Sequence, residues 1–429
     1  MLMKDAASLA PFEEGVEYSS PARGPWNIVH IGTLVPESHQ IFMCAQSCLR
    51  GVVLTAAEMN AMDRFSTIVI RERNILRGDM EELMIEGVTD ILNKLPYRPR
   101  AVEVFNSCIH DFIGCDLDFV FGRLRQRFPD VDFTDCYMTP ILRKTKFAPD
   151  AKMRQQLYSF LKPAPAEEKT VNVIGNLIGF TEPCELVSMI REGGWKLRDI
   201  CACRTYDAYQ KMASSVINIV TNPGALSAGQ VLEKRLGQRL LYLPLTYDYD
   251  QIDQALETAA ETMGLSLPDL ALLRRRAEAS LAEAADCLEG MPVALDFNAT
   301  TRPLGLARLL LSHGIRVTTV YGDSFIPAEE EDFQWLKVHA PELKLRATVH
   351  GKMAAMPRNE AREYGGRLLA VGQKAAYFSG TGYFVNMLEG SGLYGYEGII
   401  GLARWMQESS RQEQDVPSII QVKGWGCCG

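Results

Sequence analysis

Residues 41–50, IFMCAQSCLR, and residues 104–117, VFNSCIHDFIGCDL, each set a pair of cysteines just after a short apolar run. The first holds Cys44 and Cys48, the second Cys108 and Cys115. Short apolar runs bounded by turn residues predict buried strands, and alternation of such strands with amphipathic helices predicts parallel sheets. In parallel sheets ligands gather at the C-terminal ends of the strands, which is where these cysteines fall. Thiolates brought together at strand ends are what an iron–sulfur cluster or a zinc ion needs. The two loops are therefore expected to form one edge of a metal-cluster site.

The rest of the chain repeats the same alternation. NIVHIG at 27–32, STIVI at 66–70 and AVEVF at 101–105 predict strands. Between them, Met80, Leu83, Met84, Val88, Ile91, Leu92 and Leu95 recur at helical spacing. Asp79 is the expected N-cap of that helix, with Glu82 three residues on in capping-box position. Pro129 is expected to stop a further helix over 116–128. KPAPAEEK at 162–169 reads as a linker, after which strands at 171–174, 216–220 and 240–243 alternate with helices. The stretch 259–288 is expected to be helical and to bridge to a last series. That series has strands at 293–297, 315–320, 368–371 and 375–378 and a closing helix over 397–408. The expected fold is α/β, with three Rossmann-like domains over residues 1–161, 170–290 and 291–429 and parallel sheets flanked by helices.

Composition removes several function classes. Lys plus Arg number 45 against 53 Asp plus Glu, a net charge of −8. That acidity argues against a nucleic-acid binder, which needs a basic surface to neutralise phosphates. No apolar run reaches the roughly 18 residues of a membrane span. The first residues, MLMKDAASLAPFEEG, lack the charged-then-apolar layout of a signal peptide, so a cytoplasmic location is expected. In such a reducing compartment the eleven cysteines are expected to be free thiols or metal ligands. Cys184, Cys201, Cys203 and Cys287 read as buried packing residues. The four-residue spacing of Cys44 and Cys48 and the helix start at Cys115-Asp116 leave metal binding and structural packing both open. No GxxxxGK[ST] phosphate loop is present, and Gly175 and Gly179 make no GxGxxG dinucleotide turn. The tail GWGCCG, with Cys427 and Cys428, offers either a ligand or a frayed end.

An ordered set of motifs then resembles one family. His39-Gln-Ile-Phe-Met-Cys44 resembles the His-Gly-Pro-x-Gly-Cys segment of the nitrogenase component 1 family, and Arg77-Gly78-Asp79 resembles its Gly-rich helix start. Cys108 with Ile113-Gly114-Cys115-Asp116 resembles the family's Cys-containing Ile-Gly-Asp-Asp turn, and VNVIG at 171–175 its second-domain opening. ATTRP at 299–303 resembles a third-domain loop whose arginine faces the cofactor cavity, and LYGYEGIIGLARWM at 393–406 the C-terminal Gly-(Tyr/Phe)-(Asp/Glu)-Gly helix.

The resemblance implies a subunit of a nitrogenase-like reductase. An ATP-dependent iron protein would deliver electrons, ATP acting only through that partner. A homologous second subunit or a second copy of the chain would complete the assembly. A scaffold for cluster or cofactor assembly is the alternative. Cys44 and Cys108 fall on two of the family's three cluster-ligand positions, with Cys48, Cys115 or Cys136 in reserve. The third, an N-terminal cysteine, is missing where Tyr18 and Ser19 stand, so a [4Fe–4S] cluster is expected rather than the larger cluster of nitrogenase. The family's cofactor cysteine and histidine align near Asn222 and Asn386. Neither asparagine can replace a thiolate or imidazole on a sulfide cluster, so dinitrogen is not the expected substrate. Arg302 remains at the cavity-facing position, where it could hold an anion or form an ordinary ion pair.

Overall fold

The computed structural model describes residues 1–12, 15, 17, 18, 20, 28–139 and 148–420. Cys427, Cys428 and Ser19 lie outside them. Among the described residues thirteen strands form three sheets in which every strand pair is parallel. The first contains β1 (Ser38–Ala45), β2 (Phe65–Ile70), β3 (Ala101–Ser107) and β4 (Asp132–Met138), in the order β2-β1-β3-β4. The second contains β5 (Thr170–Ile174), β6 (Lys196–Asp199), β7 (Ile217–Val220) and β8 (Arg239–Tyr242), in the order β6-β5-β7-β8. The third contains β9 (Val293–Asp296), β10 (Val317–Tyr321), β11 (Lys344–Arg346), β12 (Leu369–Val371) and β13 (Phe384–Val385), in the order β11-β10-β9-β12-β13. The chain divides into two compact units: residues 26–177 with 196–242 hold the first two sheets, and residues 1–25, 178–195 and 243–429 hold the third.

Strands covered on both faces need apolar side chains on both. In the first sheet Ile41, Met43, Val102 and Val104 pack with Met84 and Val88 of the helix Met80–Lys94 and with Val120 and Leu124 of the helix Leu117–Arg127. Phe42, Cys44, Phe105 and Cys136 face the other cluster, with Val52 of the helix Gln46–Glu58. Phe42 and Phe105 stack at 3.9 Å between ring centroids, which ties β1 to β3 on that face.

Several local expectations are corrected. Residues 28–32 form a helix, Ile28–Gly32, not a strand. A short apolar run has no period to distinguish the two, and here Thr33 closes the turn by donating its hydroxyl to the carbonyls of Val29 and His30. The strand lies further on and begins with Ser38, His39 and Gln40, all buried. Their polar atoms are engaged in part: Ser38 donates to Val35 O, Gln40 Nε2 to Val29 O, and the His39 ring lies between the hydroxyls of Tyr97 and Ser66, while Gln40 Oε1 has no hydrogen-bond partner among the described residues. Residues 375–378 belong to the helix Gln373–Ser379 and not to a strand. The stretch 259–288 is two helices, Tyr249–Met263 and Leu270–Leu288, separated by Gly264 in the left-handed region and by Pro268. Asp79 is the N-cap of Met80–Lys94, but its side chain makes no capping bond and instead accepts from Asn74 Nδ2 at 3.0 Å.

Candidate functional site

In each sheet the chain runs first to one side of a central strand and then to the other, which opens a crevice at the strand ends where the direction reverses. In the first sheet that point lies between β1 and β3. Cys44 is the next-to-last residue of β1. Met43 pairs with Asn106, so the register sets Cys44 beside Ser107, and Cys108 follows as the first residue of the helix Cys108–Ile113. Cys48 sits on the first turn of the helix that leaves β1 and is exposed. Burial pushes the Cys44 thiol up to about 12, and the neighbouring Cys48 and Cys108 add to the rise. Three thiols thus lie near one crevice, one buried, one half-buried and one at the surface, without converging on a common point.

The reserve cysteines lie elsewhere. Cys115 packs against the apolar cluster on the opposite face of the sheet from Cys44. Burial pushes its thiol up to about 12, and Glu81, which also accepts from Asp116 N at 2.9 Å, raises it further. Cys136 shares the face of Cys44 but pairs with Phe105, inside the strand rather than at its end, and is fully buried. Cys184 is buried in the other unit, while Cys201, Cys203 and Cys287 are only half-buried, less enclosed than expected for packing residues.

Two further groups at this end of the sheet carry no sequence signature of chemistry. His110 is 2% exposed, and its Nδ1 lies 3.1 Å from both the amide nitrogen and the carbonyl oxygen of Ser107. Among the described residues neither Nε2 of His110 nor either amide atom of Asn106, also 2% exposed, has a hydrogen-bond partner. Buried polar atoms without partners are costly and are uncommon away from functional sites. Ser107 followed three residues later by His110 was the one available hint, a capping pair that fixes the ring beside Cys108.

The donor set fits an iron–sulfur cluster in part. Sulfur ligands suit it, but Cys44, Cys48 and Cys108 fall short of the four thiolates a cubane takes. Among the described residues no group of three His, Cys, Asp or Glu side chains is already placed to hold a metal ion.

Asn222 lies in the unit of the first two sheets, just past β7, and its side chain accepts from Gly224 N at 2.9 Å. Asn386 lies in the other unit, after β13, exposed, with Oδ1 accepting from Gln373 Nε2 at 3.1 Å. Tyr18 lies in that unit as well, 3.0 Å from Tyr377 between hydroxyls.

Arg302 is 6% exposed at the start of the helix Pro303–Ser312, where it donates to Ala328 O at 2.7 Å. Its charge acts on Glu329 and Asp332. Glu329 Oε1 accepts from the amides of Leu304 at 2.7 Å and Gly305 at 3.2 Å, while burial pushes the group up to about 8. A folded-state value above the ordinary 4.5 means that the folded chain keeps a proton the unfolded chain releases. The stability Glu329 contributes is therefore present below about 4.5 and is lost as pH rises through about 8. Glu329→Gln keeps the acceptor oxygen and removes the titration. Its urea midpoint is expected to fall less between pH 5 and 8 than that of the unsubstituted chain, Glu185 and Asp296 still titrating there, and to exceed it at pH 8, by about 1–3 kcal/mol of stability. An unchanged pH slope would place the titration elsewhere.

The family model described as nitrogenase component 1 type oxidoreductase matches residues 30–409. Among solved structures the chain is similar to nitrogenase Cp1 at pH 6.5, at 15% identity and a TM-score of 0.67, covering 95% of this chain and 96% of that one. It is also similar to nitrogenase Cp1 at pH 5, at 13% identity and a TM-score of 0.57, covering 93% and 92% respectively. At these identities the likeness is one of fold. A comparison with curated protein sequences finds no match. Among the described residues no helix is long and apolar enough to cross a membrane.

Proposed function

Because this chain belongs to the nitrogenase component 1 type oxidoreductase family, we propose that it is a subunit of a nitrogenase-like reductase that relays low-potential electrons through an iron–sulfur cluster to a substrate. The observation that supports the reading is the register that sets Cys44 beside Ser107, with Cys108 next in the chain and Cys48 near enough to act on the Cys44 thiol. Cys44 and Cys108 would hold the cluster, and Cys48, on the first turn of its helix, is the nearest further thiol. A bound [4Fe–4S] cluster would supply one-electron transfer. The residues around it do the rest: Phe42 and Phe105 keep water from one side, and the buried Cys44 thiol gives up its proton only to a metal. The shortfall of ligands supports completion by a homologous second subunit or a second copy. Members of the family work with an iron-protein reductase in multi-subunit complexes, and ATP would act only through that partner.

Dinitrogen is not the proposed substrate. Asn222 and Asn386 supply neither thiolate nor imidazole where the family's cofactor would be anchored. The same absence favours a second reading, a scaffold that holds a cluster and passes it on without turnover.

Anaerobic purification followed by iron and acid-labile sulfide assay and EPR of the reduced protein tests the cluster. Iron-free protein with every thiol titratable would end both readings. With a cluster present, an iron protein and ATP should drive repeated reduction and substrate-dependent reoxidation. Transfer of the iron to an acceptor protein without such cycling would favour the scaffold.

A further inference from the structure

Glu103 stands at the centre of β3 with none of its surface exposed, and among the described residues neither oxygen of its carboxyl has a hydrogen-bond partner. Gln40 lies beside it in the register of β1, and Gln40 Oε1 likewise has none. The helix Ile28–Gly32 lies over both side chains. A Cβ at Gly32 would stand 2.7 Å from Glu103 Oε2 and 2.9 Å from Gln40 Nε2, so the helix backbone rests directly on them. Gln40 Nε2 donates to Val29 O at 3.2 Å, which latches the helix to the sheet. Arg64 holds the chain just after the helix, donating through Nη1 to Thr33 O at 3.2 Å and through Nη2 to Val35 O.

A carboxyl in this place is tolerated as the neutral acid. Ionised, it would be a buried charge with no donor on either oxygen, which is costly. Burial accordingly pushes it well above the ordinary 4.5, and the charge of Arg64 offsets only part of the rise. Because the enclosed carboxyl holds its proton more tightly than one in water, the enclosed state is at full stability below about 4.5 and loses it as pH rises through the carboxyl's raised value. The least costly cover to move is the helix, five residues long, since β1 and β3 are each paired on both sides.

We propose that the helix Ile28–Gly32 is a lid that lifts from the first sheet when Glu103 loses its proton, turning about the Arg64-held residues that follow it. Ile28, Val29 and Ile31 belong to the apolar cluster that also contains Cys44 and, from the helix of Cys48, Leu49 and Val52. Lifting the lid therefore thins the cover over the face of the sheet that carries Cys44. The lid needs no cluster and stands without the electron-relay reading. The other charged or titratable groups around Glu103 are Arg64 before β2, Cys136 on β4, Tyr209 on the helix Tyr206–Gln210 and His30 on the lid itself.

Hydrogen exchange of the full chain, read by mass spectrometry between about pH 6 and 9, tests the lid. The amides of Thr33 and Leu34 bond back to the carbonyls of Val29 and Ile31 and report on it. Their rates, divided by those of an unstructured peptide of the same sequence, should rise by up to about tenfold per pH unit as one proton is lost. Amides of β1 and β3 should stay protected over the same range. Glu103→Gln keeps the shape and removes the titration, so the rise should disappear. Gly32→Ala drives a methyl group against the carboxyl and should raise the exchange of the same amides already at pH 6. If Glu103→Gln fails to fold, the Gly32→Ala result decides. A flat pH profile, a rise that persists in Glu103→Gln, exchange of β3 at the rate of the lid, or unaltered protection in Gly32→Ala overturns the proposal.

Discussion

Alanine at Cys44 or at Cys108 is expected to abolish the iron, the acid-labile sulfide and the reduced-state EPR signal of anaerobically purified protein. On the proposed assignment each thiolate is a ligand, with Cys48 serving beside them and not in their place, so the loss should be all or none rather than graded. The fold should survive either change. Cys44 is fully buried, but removing one sulfur costs on the order of 1 kcal/mol, a small share of the stability of a chain this size. Cys108 is half-buried at the first position of a helix, where alanine is well tolerated. Two controls make the expectation discriminating. Cys115→Ala should leave the signal intact, because Cys115 packs with Glu81 on the opposite face of the sheet. Cys184→Ala should do the same from the other unit. A cluster retained in both Cys44→Ala and Cys108→Ala, or lost in Cys115→Ala, would mean that the ligands lie elsewhere. Cys48→Ala then reports whether the third thiol comes from this chain or from a partner.

The parallel α/β fold was legible because most of its strands are continuous apolar runs with helices between them, and β3 shows the rule and its limit together. AVEVF reads as a strand despite Glu103 at its centre. The structure buries Glu103 completely, and burial pushes its carboxyl well above the ordinary range. The strand signal was local, whereas the state of that carboxyl depends on what covers it, including Gly32 from a different segment. β1 fails in the opposite direction. Ser38, His39 and Gln40 look like a polar break, yet each is buried, with groups from other segments taking part of its polar atoms: Arg64 for Ser38, Ser66 and Tyr97 for His39, Val29 for Gln40. The cysteine crevice was legible for the same reason as the fold, since Cys44 and Cys108 stand at strand ends that local pattern defines. The approach of Glu185 to Glu397 was not. Glu185 and Glu397 are more than two hundred positions apart, and only the packing of two helices makes them neighbours.

The largest stability effect is expected at the crevice of the third sheet, between β9 and β12, where the protein fills the space with its own carboxylate. Asp296, fully buried at the end of β9, accepts from the amides of Asn298 at 2.8 Å and Ala299 at 2.9 Å through Oδ1, and from Ala375 at 2.7 Å through Oδ2. One side chain therefore fixes both the loop that leads to Arg302 and the start of the helix Gln373–Ser379. Gly372 lies against it with φ +107°, and a Cβ at that position would overlap the whole carboxylate. Asp296→Ala leaves the amides of Asn298 and Ala375 without an acceptor, Ala299 N keeping the carbonyl of residue 296, and should cost on the order of 3–5 kcal/mol, read as a fall in the urea midpoint. Gly372→Ala should cost about 3 kcal/mol or more, part from overlap and part from a backbone region that side chains avoid. The double substitution separates these parts. With the carboxylate gone the overlap disappears, so Gly372→Ala should cost only about 1–2 kcal/mol in the Asp296→Ala background, the backbone share alone. Costs that add to within about 0.5 kcal/mol would mean that the two positions do not contact each other energetically, and that the conformation of Gly372 is imposed by its turn rather than by the carboxylate.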